Sequence, residues 1–141
     1  MSAKFFLDTN IFVYSFEGNG SAKSRSALRL IRHAIETRNG VVSYQVVQEF
    51  FNVALRRFVK PMTISEAEQY LATTFRPLLA VHSSLALYGE ALQIAHRFKL
   101  SWFDALIVAS AITSHCEVFY SEDLQDGQRF GSLQVSNPFL V

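Results

Sequence analysis

The chain has 141 residues, half of them hydrophobic and 18% charged, with a formal net charge of +1. This suits one domain, residues 1–141, with a substantial core, and it excludes a disordered chain. A balance so near neutral excludes whole-molecule attraction to nucleic acid or to an anionic membrane, so a polyanion would have to be held by a local patch or by bound metal.

The single cysteine, Cys116, excludes an intramolecular disulfide and suits a reducing compartment. The histidines His33, His82, His96 and His115 are scattered, without the spacing of a zinc site. The 13 phenylalanines fit either an aromatic core or a subunit interface. The opening Met1-Ser2-Ala3-Lys4-Phe5-Phe6-Leu7-Asp8 ends its apolar run almost at once, unlike a signal peptide, and no stretch is long enough to span a bilayer. The expectation is a soluble, cytoplasmic protein without membrane contact.

Lys4 to Leu7 reads as a short buried strand, followed by a helical turn over Asn10 to Phe16 that Glu17-Gly18-Asn19-Gly20 breaks. Ser21 to Arg38 carries Ala27, Leu28, Ile31, Ala34 and Ile35 on one helical face, with Asn39-Gly40 as its stop. Val41 to Ser43 is a second strand. Tyr44 to Phe58 is helical, with Val47, Phe50, Phe51, Ala54 and Phe58 inward, and Lys60-Pro61 ends it. Ser65 to Phe75 opens on Ser-Glu-Ala-Glu, which satisfies the capping-box pattern.

Leu78 to Val81 is a third strand, and Ser84 to Phe98 an amphipathic helix through Leu87, Ala91, Leu92, Ala95 and Phe98. Trp102 to Ser114 is apolar on nearly every side and therefore buried. Val118 to Tyr120 is a fourth strand and Leu133 to Val135 a fifth. Strands separated by helices pair in parallel through right-handed crossovers, which predicts an α/β fold with helices on both faces. Ligands in such folds sit beyond the carboxyl ends of the strands.

Two carboxylates stand at such ends. Asp8 follows the first strand directly, where a charge against an apolar core is costly unless it is paired or bound to metal. It also suits an N-cap of the next helix. Asp123 lies just past the fourth strand in the acidic loop Ser121-Glu122-Asp123-Leu124-Gln125-Asp126-Gly127, which reads equally as a solvated turn. Asp104 stands in the first turn of the buried helix, three residues after Ser101, at capping-box spacing. Glu49 shares a polar helical face with Gln45, Gln48, Asn52 and Arg56 and, taken alone, is a surface residue. Together, several acids converging on one sheet edge would repel one another without a cation. Hard ions such as Mg²⁺ and Mn²⁺ take oxygen ligands and would make the cluster a site for phosphodiester hydrolysis.

Phe6-Leu7-Asp8-Thr9-Asn10-Ile11-Phe12-Val13-Tyr14 resembles the opening of PIN-domain proteins, especially the VapC-type toxins of bacterial toxin–antitoxin pairs. Val42-Ser43 followed by Glu49-Phe50, Phe103-Asp104-Ala105-Leu106-Ile107 and Tyr120-Ser121-Glu122-Asp123-Leu124 follow in that family's order. The resemblance covers almost the whole chain. It implies a three-layer PIN-like α/β fold with a central, mostly parallel sheet of four or five strands.

The resemblance further implies an acidic quartet, Asp8, Glu49, Asp104 and Asp123, that binds Mg²⁺ (or Mn²⁺) and activates the attacking water. Asn10 and Ser121 match polar positions beside it; Asp126 has no equally firm counterpart, and either it or Glu122 would supplement the site. The implied activity is endoribonucleolytic hydrolysis of RNA, in a homodimer silenced by a cognate antitoxin protein. For contact with the RNA backbone, Arg56, beside Arg57 and Lys60 and on the face shared with Glu49, is a better candidate than Arg25, Arg29 and Arg32, which read as a solvated face.

An aspartyl-nucleophile phosphatase would carry a second Asp where this chain has Asn10. A receiver domain would need an acidic pair after the first strand and a lysine after the fourth. A PIN-like binding module without catalysis, or a housekeeping PIN nuclease without an antitoxin, remains as the alternative.

Overall fold

The computed structural model describes residues 3–17 and 20–140. Gly18 and Asn19, half of the predicted break after the first helix, lie outside the described residues, as do Met1, Ser2 and Val141. The elements in chain order are β1 (Phe5–Leu7), α1 (Thr9–Tyr14), α2 (Ala22–Thr37), β2 (Gly40–Ser43), α3 (Tyr44–Ala54) and α4 (Ile64–Tyr70). The last continues through a π-helical turn (Leu71–Phe75) into α5 (Arg76–Leu78). Then come β3 (Leu79–Val81), α6 (Leu85–Phe98), α7 (Trp102–Thr113), β4 (Val118–Tyr120), β5 (Arg129–Phe130) and β6 (Leu133–Ser136).

The sheet runs β3-β2-β1-β4-β6-β5, and every pairing is parallel except the last. The α/β class and the mostly parallel sheet are as the sequence predicts. The sixth strand, β5, is the addition: two residues paired antiparallel with β6 through Phe130↔Leu133, too short to carry a hydrophobic period. All of β1 and β2 is buried. A central parallel strand covered on both faces reads as a continuous apolar run, which is how Phe5-Phe6-Leu7 and Val41-Val42 present themselves.

Most of the phenylalanines belong to the core. Phe6, Phe12, Phe50, Phe75, Phe119 and Phe130 are fully buried. Phe50 lies at the centre of one cluster, stacked on Tyr70 at 5.1 Å between centroids and edge-on to Phe75 at 5.3 Å. Of the residues assigned inward by helical period, Leu28 on α2 and Leu92 on α6 are instead exposed. Ala27 and Ile31, and Leu87 and Ala91, carry the two buried stripes. α7 is buried from Ala105 to Ala111, as its apolar sequence requires. Among the described residues, no helix is long and apolar enough to cross a membrane.

Three local predictions shift, each for a physical reason. Helix α2 ends on Arg38 in the left-handed region (φ 61°), and Gly40 opens β2 rather than stopping the helix. A Cβ at Gly40 would meet the Ala34 Cβ at 2.2 Å, so the glycine lets α2 close onto the sheet. The capping box is formed by Thr63 and Glu66, not Ser65: Glu66 N donates to Thr63 Oγ1 (3.1 Å) and Thr63 N to Glu66 Oε1 (2.9 Å). Helix α3 stops at Ala54 instead of Phe58, because the Met62 amide takes the Ala54 carbonyl at 2.9 Å and turns the chain back.

Candidate active site

The parallel register decides how the site begins. Leu7 lies opposite Tyr120 across β1 and β4, so the residues that leave the two strands, Asp8 and Ser121, emerge side by side. Ser121 Oγ donates to Asp8 Oδ2 at 2.6 Å, and the same hydroxyl accepts the Asp123 amide at 3.1 Å. Asp8 also N-caps α1, its Oδ1 accepting the Thr9 amide at 2.7 Å. Capping and site membership, rivals in the sequence, are compatible here because each carboxylate oxygen has its own partner.

The remaining acids arrive on helices. Asp104 enters on the first turn of α7, which Ser101 caps by accepting the Asp104 amide at 3.3 Å. Glu49 arrives on α3 and is held at both oxygens, by the Thr9 hydroxyl at 2.6 Å on Oε1 and by Gln45 Nε2 at 3.4 Å on Oε2. Asn10 Nδ2 lies 3.3 Å from each oxygen of Asp123. Asp8, Glu49, Asp104 and Asp123 thus line one pocket of about 290 Å³, with Thr9, Asn10, Gln45, Asn52, Val53, Phe103 and Ile107. Two larger hollows, of about 810 and 650 Å³, run along α6, the end of α7 and the start of β6, away from this acidic group.

Burial pushes the Asp8 carboxyl up from 3.8 to about 7, and the charges of Asp123 and Glu49 push the same way, against the bonds from Ser121 and Thr9. Asp123 is raised as well, by partial burial first and by the Asp104 charge second. A carboxyl in this state is stabilised as an anion only when positive charge arrives.

The donor set fits a hard divalent ion in chemistry, since the polar groups nearest the pocket floor are carboxylate, hydroxyl and amide oxygens. Among the described residues, no group of three or more His, Cys, Asp or Glu stands ready to hold a metal ion. Binding one therefore needs side-chain movement.

Of the residues assigned to the site by sequence, Ser121 stands behind Asp8 rather than on the pocket lining, and Asp126, Glu122 and Arg56 do not line it either. Asp126 Oδ1 accepts the Asn137 amide at 2.8 Å, tying the acidic loop to the segment after β6. Glu122 faces Lys23 (3.0 Å) and accepts the Tyr14 hydroxyl. Arg56 lies in the exposed turn that follows α3 and is not among the residues lining the pocket. Arg25 and Arg29 bond locally, to the Gly20 carbonyl and to Ser26, and with Arg32 form an exposed face. In the other direction, Thr9 and Phe103 line the pocket although the sequence reading gave them no role. Thr9 was masked by the charged and amide residues on either side of it.

The family model described as PIN domain matches residues 5–126. A search of curated proteins finds no match. Among solved structures, a toxin–antitoxin complex from Klebsiella pneumoniae is 20% identical, with a TM-score of 0.67, covering 99% of this chain and 100% of that one. VapC20 of Mycobacterium tuberculosis, a toxin that cleaves the sarcin–ricin loop, is 22% identical (TM-score 0.62; 84% of this chain, 88% of that one). VapBC2 of Rickettsia felis, bound to a fragment of promoter DNA, is 17% identical (TM-score 0.62; 94% and 97%). With the family model spanning β1 through the acidic loop after β4, the chain belongs to the PIN domain family.

Proposed function

We propose that this protein is a Mg²⁺- or Mn²⁺-dependent endoribonuclease, the toxin of a toxin–antitoxin pair. The observation that carries the reading is the gathering of Asp8, Glu49, Asp104 and Asp123 on one pocket, with Asp8 nearly buried and its carboxyl held up to about 7. Four acids from separate elements are a costly arrangement that a bound cation would repay.

Asp8, Asp104 and Asp123, with Glu49, would hold the ion. A cation held there would supply an acidified water and would neutralise charge on the scissile phosphate. The protein's own part is orientation. Ser121 fixes one oxygen of Asp8, and the Thr9 amide fixes the other. Asn10 holds Asp123 towards the pocket, and the Thr9 hydroxyl with Gln45 keeps Glu49 against the wall. The apolar Val53 and Ile107 limit water around the acids.

The toxin assignment is supported by solved relatives described as toxins or as toxin–antitoxin complexes. A cognate antitoxin and a homodimeric state belong to the same reading.

Purified protein incubated with labelled RNA and Mg²⁺ or Mn²⁺, with an EDTA control and an Asp8→Asn variant, tests it. Cleavage that disappears both in EDTA and in the variant is the expected result. Folded, antitoxin-free protein that cleaves no RNA with either metal would instead indicate a binding module.

A further inference from the structure

The pocket has an unusual balance of groups for a protein that handles a polyanion. Among the described residues that line it there are four carboxylates and no lysine, arginine or histidine. The basic candidate, Arg56, stands outside. Net charge adds nothing, at +1. Phosphate contacts at the pocket wall therefore supply little grip beyond that of bound metal. Phe103 is the aromatic among those lining residues, and 61% of its surface is exposed.

Its backbone is also fixed. Gln45 Nε2 donates to the Phe103 carbonyl at 3.1 Å while reaching Glu49 Oε2 at 3.4 Å. Both partners are acceptors, which sets the orientation of the amide. Gln45 is buried, so this tie between α3 and the first turn of α7 is shielded from water. The exposed Phe103 ring thus stands on an anchored main chain, one residue from Asp104. Such a ring on a fixed backbone can take a base on its face at little entropic cost.

We propose that Phe103 is the stacking platform for an unpaired base next to the scissile phosphate. The inference rests on the ribonuclease reading above. Bases in an A-form duplex are stacked on one another and cannot reach such a ring, whereas splayed loop bases can. Asn52, exposed on the same wall, is placed to offer its amide to a base edge or sugar.

The test uses Asp8→Asn protein, to prevent cleavage, and fluorescein-labelled RNA as a stem–loop and as a full duplex. Fluorescence anisotropy reads binding, and KM and kcat are measured in parallel with Asp8 intact. Phe103→Ala is expected to weaken stem–loop binding by about 5- to 150-fold and to raise KM more than it lowers kcat. Phe103→Trp should restore both, Phe103→Leu should not, and duplex binding should be unaffected by any of them.

Unchanged stem–loop binding in Phe103→Ala, full rescue by Leu, or equal loss on the duplex would overturn the proposal. So would a change in oligomeric state on sizing columns, which would make Phe103 a protein contact. If wild-type protein cleaves no RNA at all, the ribonuclease reading fails first. Cleavage by wild type and by Phe103→Ala with equal KM would sink only this inference.

Discussion

Replacing Asp8 by Asn should make the metal-free protein more stable while abolishing its activity. The Asp8 carboxyl sits near 7 in the fold against 3.8 outside it, chiefly through burial and then through the charges of Asp123 and Glu49. A raised carboxyl means that the folded state binds the proton more tightly than the unfolded chain. Stability from this group is therefore full below pH 4 and is lost as pH rises to about 7.

That displacement amounts to about 4 kcal/mol withheld from the wild type at pH 8. Asn keeps the partners: its oxygen can accept the Thr9 amide and its NH₂ can donate to Ser121 Oγ. Thermal unfolding in EDTA at pH 8 should place the variant on the order of 10 °C above wild type. The gap should close as pH falls from 7 to 4, and excess Mg²⁺ or Mn²⁺ should raise the wild type but scarcely the variant. A variant no more stable than wild type at pH 8, or a gap independent of pH, would refute the reasoning that Asp8 is a strained anion awaiting a cation.

Other expectations follow from single contacts. Ser121→Ala removes the bond that lowers the Asp8 carboxyl. It should cost about 1–3 kcal/mol and move the alkaline loss of stability to higher pH, seen in unfolding curves against pH. Gly40→Ala drives a methyl into Ala34 at 2.2 Å and should destabilise by about 1–3 kcal/mol in urea titrations, without changing cation affinity. Phe50→Ala empties the centre of the aromatic cluster, where Phe50 is fully buried, at a cost of roughly 3–5 kcal/mol. An effect below about 1 kcal/mol would mean that the cluster repacks. Thr9→Val takes the hydroxyl from Glu49 at constant shape. It should lower kcat with little change in melting temperature, and Thr9→Ser should recover most of the loss.

The class of fold was legible in the residues alone, because apolar runs of strand length alternating with helical periods bury themselves as a covered parallel sheet. The sequence also placed Asp8 and Asp123 correctly after their strands, since the chain leaves a parallel sheet at one edge. Asp104 was legible as the acid of a capped first turn, and Glu49 only through its likeness to a family pattern.

Contacts between segments distant in the chain set the rest. Which acids of the loop after β4 face the pocket depends on distant partners: Lys23 and Tyr14 draw Glu122 away, and Asn137 draws Asp126. Arg56 stands in a turn because α3 closes at Ala54, where the Met62 amide takes the carbonyl, an event that helical period cannot foresee. The grip of Thr9 on Glu49 joins residues 40 positions apart, and only packing α1 against α3 brings them within 2.6 Å. Local pattern fixes what each segment becomes; long-range hydrogen bonding and close packing fix which of its side chains meet.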